Sequence, residues 1–269
     1  IITVSVCAVI IAGLIVGNVI CGKNFNIITS YFNGLGMDET ANEAEREFGK
    51  NLSVTVEQEG AVLLQNNNNV LPLSPSESGK IKVNLFGWAS CDAGFIPQGT
   101  GSGTGSRDDM TTFPAALKEV GYEINEELNA AYNALGYERV EGGSYVIEAS
   151  SDEKYKKFYG VNEAPISFLT AERMGQAKEF SDTAIIVLGR LLGEGNDYSH
   201  KQYKARGDNA TDRHLLQLSS EEEEMIKLVG KNFDKVVLVL NTSNPLELGF
   251  VEDPDYGIDL SLIHISEPT

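Results

Sequence analysis

Residues 183–197 read TAIIVLGRLLGEGND. The first six are apolar or β-branched with no charge among them, which suits a strand covered on both faces, as in a parallel sheet. Gly189, Gly193 and Gly195 then break the pattern and leave one acid, Glu194, between two glycines. In open α/β sheets, ligands gather where loops leave the carboxyl ends of strands. A glycine-held acid at such a place is a candidate for proton chemistry, although an acid of this kind taken alone is more often one surface glutamate among many.

Outward from this strand the chain alternates strand and helix. Residues 61–64 (AVLL) read as a strand before a polar, asparagine-rich turn. Residues 81–86 alternate and end at Gly87, so they read as a strand, with a long loop over 88–107. A short helix is expected over 113–120, a strand over 122–125 and a helix over 126–135. Residues 140–152 suggest a loop and a short strand at 145–147. A helix over 169–180 leads into the strand at 183. Both Ser219 with Glu222 and Ser220 with Glu223 have capping-box spacing ahead of Met225, Ile226 and Val229. The acids of 221–224 suit the first turn of that helix. Residues 235–240 (KVVLVL) form a buried-strand pattern. Upstream, Ala41, Ala44, Phe48 and Leu52 fall at helical spacing after Asp38 or Thr40, on a helix that extends towards Glu59. Alternation of this kind argues an α/β sandwich with a mainly parallel sheet.

The 269 residues suffice for one large domain or two small ones. Lys and Arg total 21 against 39 Asp and Glu, a formal charge of −18. That charge repels phosphate backbones and argues against nucleic acid as a partner, while a neutral sugar meets no such penalty. Cys7, Cys21 and Cys91 give no disulfide framework or zinc spacing, and no metal site is suggested. Residues 1–21 are uncharged and apolar, long enough to cross a bilayer as a helix. They read as an uncleaved, single-pass membrane anchor, with a buried core helix as the alternative. A juxtamembrane linker and helix follow over 22–54.

Residues 99–106 (GTGSGTGS) place glycine at every second position. The spacing is neither a P-loop nor a dinucleotide fingerprint. A flexible linker is the plain alternative, but the run follows a strand and precedes a helix, on the sheet edge where Glu194 is expected. No G-x-S-x-G elbow supports a serine hydrolase.

Four blocks, taken together and in order, resemble the (α/β)6 sandwich domain of glycoside hydrolase family 3, the β-glucosidase and β-xylosidase family. They are residues 59–66 with 71–73; 83–87 followed by 99–103; 182–189 with 193–197; and 216–219, Ile226 and 235–241 with Pro245. The resemblance implies a three-layer sandwich over 55–259 that is truncated at its C-terminal side, with 260–269 (LSLIHISEPT) expected to be a non-native tail.

It also implies a retaining glycosidase acting on an oligosaccharide or other β-glycoside, with glucose or xylose as the terminal sugar and no cofactor. The family's nucleophile is an Asp on a TIM barrel. In the permuted subgroup, where the sandwich comes first, that barrel lies beyond Thr269, so the chain alone is expected to be inactive. The general acid/base is a Glu in a G-E-G-x-D loop, and position by position it falls on Glu194. Retaining hydrolysis sets two carboxyls about 5–5.5 Å apart, one of them protonated, and burial beside an ionised partner keeps such an acid protonated. Asp197 is expected to position the loop or a sugar hydroxyl, and Gly101 and Ser102 to wall the pocket. Many members carry Arg after the Asp of this loop. Tyr198 stands here instead, leaving Arg190 as the nearby cation for a substrate contact. With an anchor at 1–21, the sandwich is expected outside the cell membrane. Two other readings are a non-catalytic carbohydrate-binding or structural module and a doubly wound nucleotide-binding protein. The missing phosphate motif and the acidic charge weigh against the second.

Overall fold

Strand β5 (Thr183–Arg190) shows why an uncharged apolar run becomes the centre of a sheet. Along it Ala184, Ile186 and Leu188 enter one hydrophobic cluster, while Ile185 and Val187 enter another on the opposite face. Period-two alternation between two buried faces is what a strand covered by helices on both sides requires. The partner strand β7 (Lys235–Thr242) repeats it, with Val236, Leu238 and Leu240 on the first face and Val237 on the second. The two run parallel in unbroken register from Thr183 opposite Lys235 to Arg190 opposite Thr242. Strand β5 therefore continues two residues past the expected end. Gly189 and Arg190 stay in the ladder because β7 supplies partners for them, a tertiary override of local propensity.

The computed structural model describes residues 2–25, 39–75, 79–95, 111–137, 160–161, 163–190, 203–204, 213–242 and 245–264. Its main sheet has six strands. Added to β5 and β7 are β1 (Ala61–Asn66), β2 (Ile81–Phe86), β3 (Tyr122–Ile124) and β8 (Leu260–His264), in the spatial order β1-β8-β7-β5-β2-β3. Every neighbouring pair is parallel except β1 with β8. Leaving β1 aside, the chain places β3 on one side of β2, then β5, β7 and β8 successively on the other. The direction of winding thus reverses between β2 and β5, which is the topological switch point of a doubly wound sheet. A separate two-stranded pair joins β4 (Gly160–Val161) to β6 (Tyr203–Lys204).

Among the described residues four helices cover the sheet. Helix α3 (Phe113–Glu119) lies over the smaller cluster, where Phe113 and Leu117 pack against residues that include Val83, Leu85 and Val187. Helices α4 (Glu126–Asn133), α5 (Ala171–Phe180) and α6 (Ser220–Asn232) contribute Leu128, Tyr132, Met174, Ala177, Met225, Ile226 and Val229 to the larger one. Thr112, Asn125, Thr170 and Ser219 cap the four N-termini through their side chains. Of the two spacings that fit a capping box, Ser219 with Glu222 is the one that forms. Asn84 is the one polar residue of β2 that is buried. Its Nδ2 lies 2.9 Å from the carbonyl of Ala177 and 3.1 Å from that of Ser181, and its Oδ1 accepts from Asn125 at 2.9 Å. A buried amide so satisfied ties β2 to α5 and to the start of α4.

The chain divides into two compact units, Ile1–Val56 and Glu57–Thr269. In the first, the backbone forms α1 (Ile2–Lys23) and most of α2 (Glu39–Gly60). Among the described residues no helix is long and apolar enough to cross a membrane. The membrane anchor expected at residues 1–21 is therefore not supported. Helix α2 confirms the helical spacing read from Ala41 to Leu52, yet Phe48 and Leu52 are exposed. Within the segment 260–269, where a tail is expected, the structure describes residues 260–264. They form β8, parallel to β7 from Val237 opposite Leu260 to Asn241 opposite His264. The alternation in LSLIH is strand-like, and β7 offers it a free edge. The strand expected at 145–147 lies outside the described residues.

Candidate functional site

The carboxyl ends of β2 and β5 meet at the switch point. Strand β2 leaves the sheet through Gly87, whose φ of 90° is open to glycine and strained for other residues. A Cβ there would lie 2.5 Å from the carbonyl oxygen of Val187, so the turn passes against the backbone of β5. Trp88, Ala89 and Ser90 follow as a buried 3₁₀ turn.

Glu163 holds that turn from outside the sheet. Its carboxylate accepts the N–H of Trp88 at 3.0 Å and that of Ala164 at 2.8 Å. Tyr137 donates its hydroxyl to the Glu163 carbonyl and stacks edge-on against Trp88. Burial pushes Glu163 up to about 8 and the charge of Glu222 adds to it, while the two N–H groups and Arg190 oppose. The residue is half-buried overall, but its carboxyl end is crowded by protein. Two nearby groups are also shifted by burial: the Tyr132 phenol lies well above its ordinary value, and the Cys91 thiol rises to about 11. A thiol so placed is inert at neutral pH.

Arg190 ends β5. The guanidinium is buried, and its five N–H donors meet five acceptor contacts. Nε donates to the Leu215 carbonyl at 3.4 Å. Nη1 donates to the Gly189 carbonyl at 3.0 Å and to Glu222 Oε1 at 2.6 Å. Nη2 donates to the Gln217 carbonyl at 3.1 Å and to Glu222 Oε2 at 2.7 Å. Glu222 is the third residue of α6, and its Oε2 also accepts the N–H of Ser219 at 2.8 Å. Beside this pair, Arg213 donates to the Leu218 carbonyl at 2.9 Å and to Glu223 at 2.7 Å. Glu223 also accepts from Lys227 and Tyr256, and these hydrogen bonds, Lys227 foremost, pull its carboxyl down to about 2.

Of the residues singled out in the sequence, Glu194, Asp197, Gly101 and Ser102 lie outside the described residues. The segments that lead to them do not. The described chain before residue 191 ends at Arg190, the last residue of β5, and that before residue 96 ends at Phe95, which stacks on Phe113. Arg190 was expected to contact substrate. The structure instead puts it in a buried, bidentate ion pair whose donors are all engaged inside the protein. Glu163 and the role of Glu222 were not found by sequence reasoning. For Glu222 the capping-box spacing was a partial signal, and for Glu163 there was none. Among the described residues no group of three or more His, Cys, Asp or Glu could hold a metal.

The C-terminal domain of glycosyl hydrolase family 3 matches residues 61–256. A β-glucosidase from Ruminococcus albus is 32% identical over 204 residues, covering 74% of this chain and 18% of that protein. The chain therefore spans less than a fifth of that relative's length. Among solved structures, a β-glucosidase from Paenibacillus barengoltzii superposes with a TM-score of 0.58 at 25% identity, over 76% of this chain and 20% of its own. β-Glucosidase 3B from Thermotoga neapolitana, in complex with glucose, gives 0.56 at 26% identity, over 80% and 27%.

Proposed function

The chain belongs to glycoside hydrolase family 3, and from that premise we propose that it supplies the proton-transferring half of a retaining β-glycosidase site, with Glu194 as the general acid/base. One observation carries the reading. Strand β5 ends at the β2/β5 switch point, and Glu194 follows four positions after its last residue, between Gly193 and Gly195 in the sequence. Ligands of doubly wound sheets bind outside the strand ends at that point.

The reaction needs two carboxyls about 5–5.5 Å apart. A nucleophilic carboxylate from another domain attacks the anomeric carbon while Glu194 donates its proton to the departing glycosidic oxygen. In the second step Glu194, now ionised, takes a proton from the water that displaces the enzyme carboxylate. Two carboxyls and water complete the cycle without a cofactor. The names of the relatives point to a terminal β-linked glucose, a neutral substrate compatible with the charge of −18. Asp197, three residues on, orients the loop or a sugar hydroxyl, and the run at 99–106 with Gly101 and Ser102 walls the pocket from the β2 side. No substrate contact is assigned to Arg190.

The test is turnover of a nitrophenyl β-glucoside by the full-length protein. Glu194→Ala is expected to lower kcat by about 100-fold or more, the scale of general acid catalysis, with azide partly restoring product release as a glycosyl azide. Turnover equal to the parent's would sink the assignment.

A further inference from the structure

We infer that Glu163 is a proton-controlled latch on the turn that ends β2: its ionised carboxyl fastens the turn to the chain at 163–164, and its neutral form releases it. The inference stands apart from the acid/base reading above.

Stereochemistry carries it. The turn from Gly87 to Cys91 closes on itself. The N–H and hydroxyl of Ser90 lie 2.9 and 2.7 Å from the Gly87 carbonyl, and the N–H of Cys91 lies 3.3 Å from that of Trp88. The N–H of Trp88 instead crosses to Glu163, 75 positions along the chain. Glu163 divides its oxygens between two donors, Oε2 accepting from Trp88 at 3.0 Å and Oε1 from Ala164 at 2.8 Å. An ionised carboxyl accepts fully on both oxygens, whereas a neutral one turns one of them into a hydroxyl that must itself donate. The proton therefore weakens one of the two N–H contacts. Ala164 adjoins Glu163 and moves with it, so the contact that yields is the one to Trp88.

The groups that face this carboxyl come from several elements. Burial raises Glu163 to about 8, Glu222 of α6 adds to that and Arg190 of β5 opposes it. Those two charges work against each other because they form one bidentate pair. Cys91 of the turn and Tyr132 of α4 face Glu163 as neutral groups, the thiol raised to about 11 and the phenol well above its ordinary value, so both keep their protons through the window. Beyond them, Asp92 acts on Cys91 and Arg173 of α5 on Tyr132. Tyr137 donates to the backbone carbonyl of Glu163, not to its carboxyl.

The latch and the stability of the whole chain respond to pH with opposite signs. Above about 8 the turn is fastened, while the chain has lost the stability that a neutral buried acid gives it; below that value both effects reverse. A local reporter separates them. Trp88 is the chain's one tryptophan and is buried edge-on against Tyr137, so selectively excited fluorescence reports this turn. Acrylamide reaches a buried indole only when its surroundings open.

The test is acrylamide quenching of the chain against pH. Quenching is expected to fall about fivefold between pH of about 6.5 and about 9, the worth of a charge-assisted bond over a weakened one, with a midpoint near 8. Glu163→Gln, whose amide copies the neutral acid, is expected to keep the faster quenching throughout and show no midpoint. Tyr137→Phe keeps the stacked ring without its phenol and is expected to retain the midpoint. Quenching independent of pH in the parent, a midpoint that survives in Glu163→Gln, or one that vanishes in Tyr137→Phe would each overturn the inference. Should Glu163→Gln not fold, the parent's Trp88 amide resonance decides. A downfield shift of its proton in step with titration of the Glu163 carboxyl carbon sustains the latch, and titration of that carbon without movement of the amide overturns it.

Discussion

Glu163 brings opposing demands together in one side chain. Its carboxyl end is enclosed by protein, which favours the neutral form, while two backbone N–H groups point at its oxygens and favour the charged one. Burial wins, and the group titrates near 8 in the folded chain against 4.5 for an unperturbed glutamate. Between those values the folded state keeps a proton that the unfolded chain has released. By linkage, stability then falls as pH rises from about 4.5 to about 8, and the deficit is complete above that. The melting temperature of the parent is expected to decline across this window, and Glu163→Gln, which has no proton to lose, is expected to flatten the decline. Parallel profiles for parent and variant would count against the buried-acid assignment. Nothing in the sequence around Glu163 announces this, because its environment is assembled from the turn at Trp88, Tyr132 of α4, Tyr137, Arg190 of β5 and Glu222 of α6. Arg190 illustrates the same limit. Its place close to the strand was legible, but that it lies in the strand, and whether its donors face substrate or protein, depended on β7 and on Glu222, 32 positions away.

The same residue type can end one strand and extend another. Gly87 terminates β2 because pairing with β5 stops at Phe86 opposite Ile186, and its positive φ turns the chain away. Gly189 does not terminate β5, since Asn241 of β7 stands opposite and the ladder continues. Sequence reasoning located both glycines and the strands before them, and it placed α3 to α6 to within two residues at most ends. Strand ends were set by partners and so were less legible. Gly87→Ala is expected to destabilise the chain by about 1–3 kcal/mol through backbone strain alone, with the close approach to Val187 adding to it. Gly175→Ala in α5, where a Cβ meets nothing within 4 Å, is expected to gain about 0.5–1 kcal/mol instead. Urea denaturation of the two variants checks the contrast, and similar shifts for both would contradict it.

Across the sandwich unit, protection from solvent is distributed unevenly, and the sheet order says where. Strands β5 and β7 are flanked on both sides by other strands and covered on both faces by hydrophobic clusters. Strand β1 lies at an edge, and Val62, Leu63 and Leu64 are 45%, 51% and 45% exposed, so neither face of that strand is covered. Its hold on the sheet is the antiparallel ladder with β8, interrupted by an irregularity between Leu63 and Gln65. Apolar sequence predicted a strand at 61–64 correctly but said nothing of its exposure, because an apolar run looks alike whether or not a helix lies over it. Backbone hydrogen bonds without overlying side chains open locally at low cost, whereas those of a doubly covered strand open only when the unit unfolds. In native-state hydrogen exchange, amides from Ile185 to Leu188 and from Val237 to Leu240 are therefore expected to exchange at the rate of global unfolding. Those of Val62 to Leu64 are expected to exchange at least about 100-fold faster. Urea should then accelerate exchange steeply in β5 and β7 but barely in β1, since local fraying exposes little new surface. Equal protection and equal urea dependence in β1 and β7 would mean that the edge strand opens only with the whole unit, and the uneven distribution of stability argued from its exposure would fall.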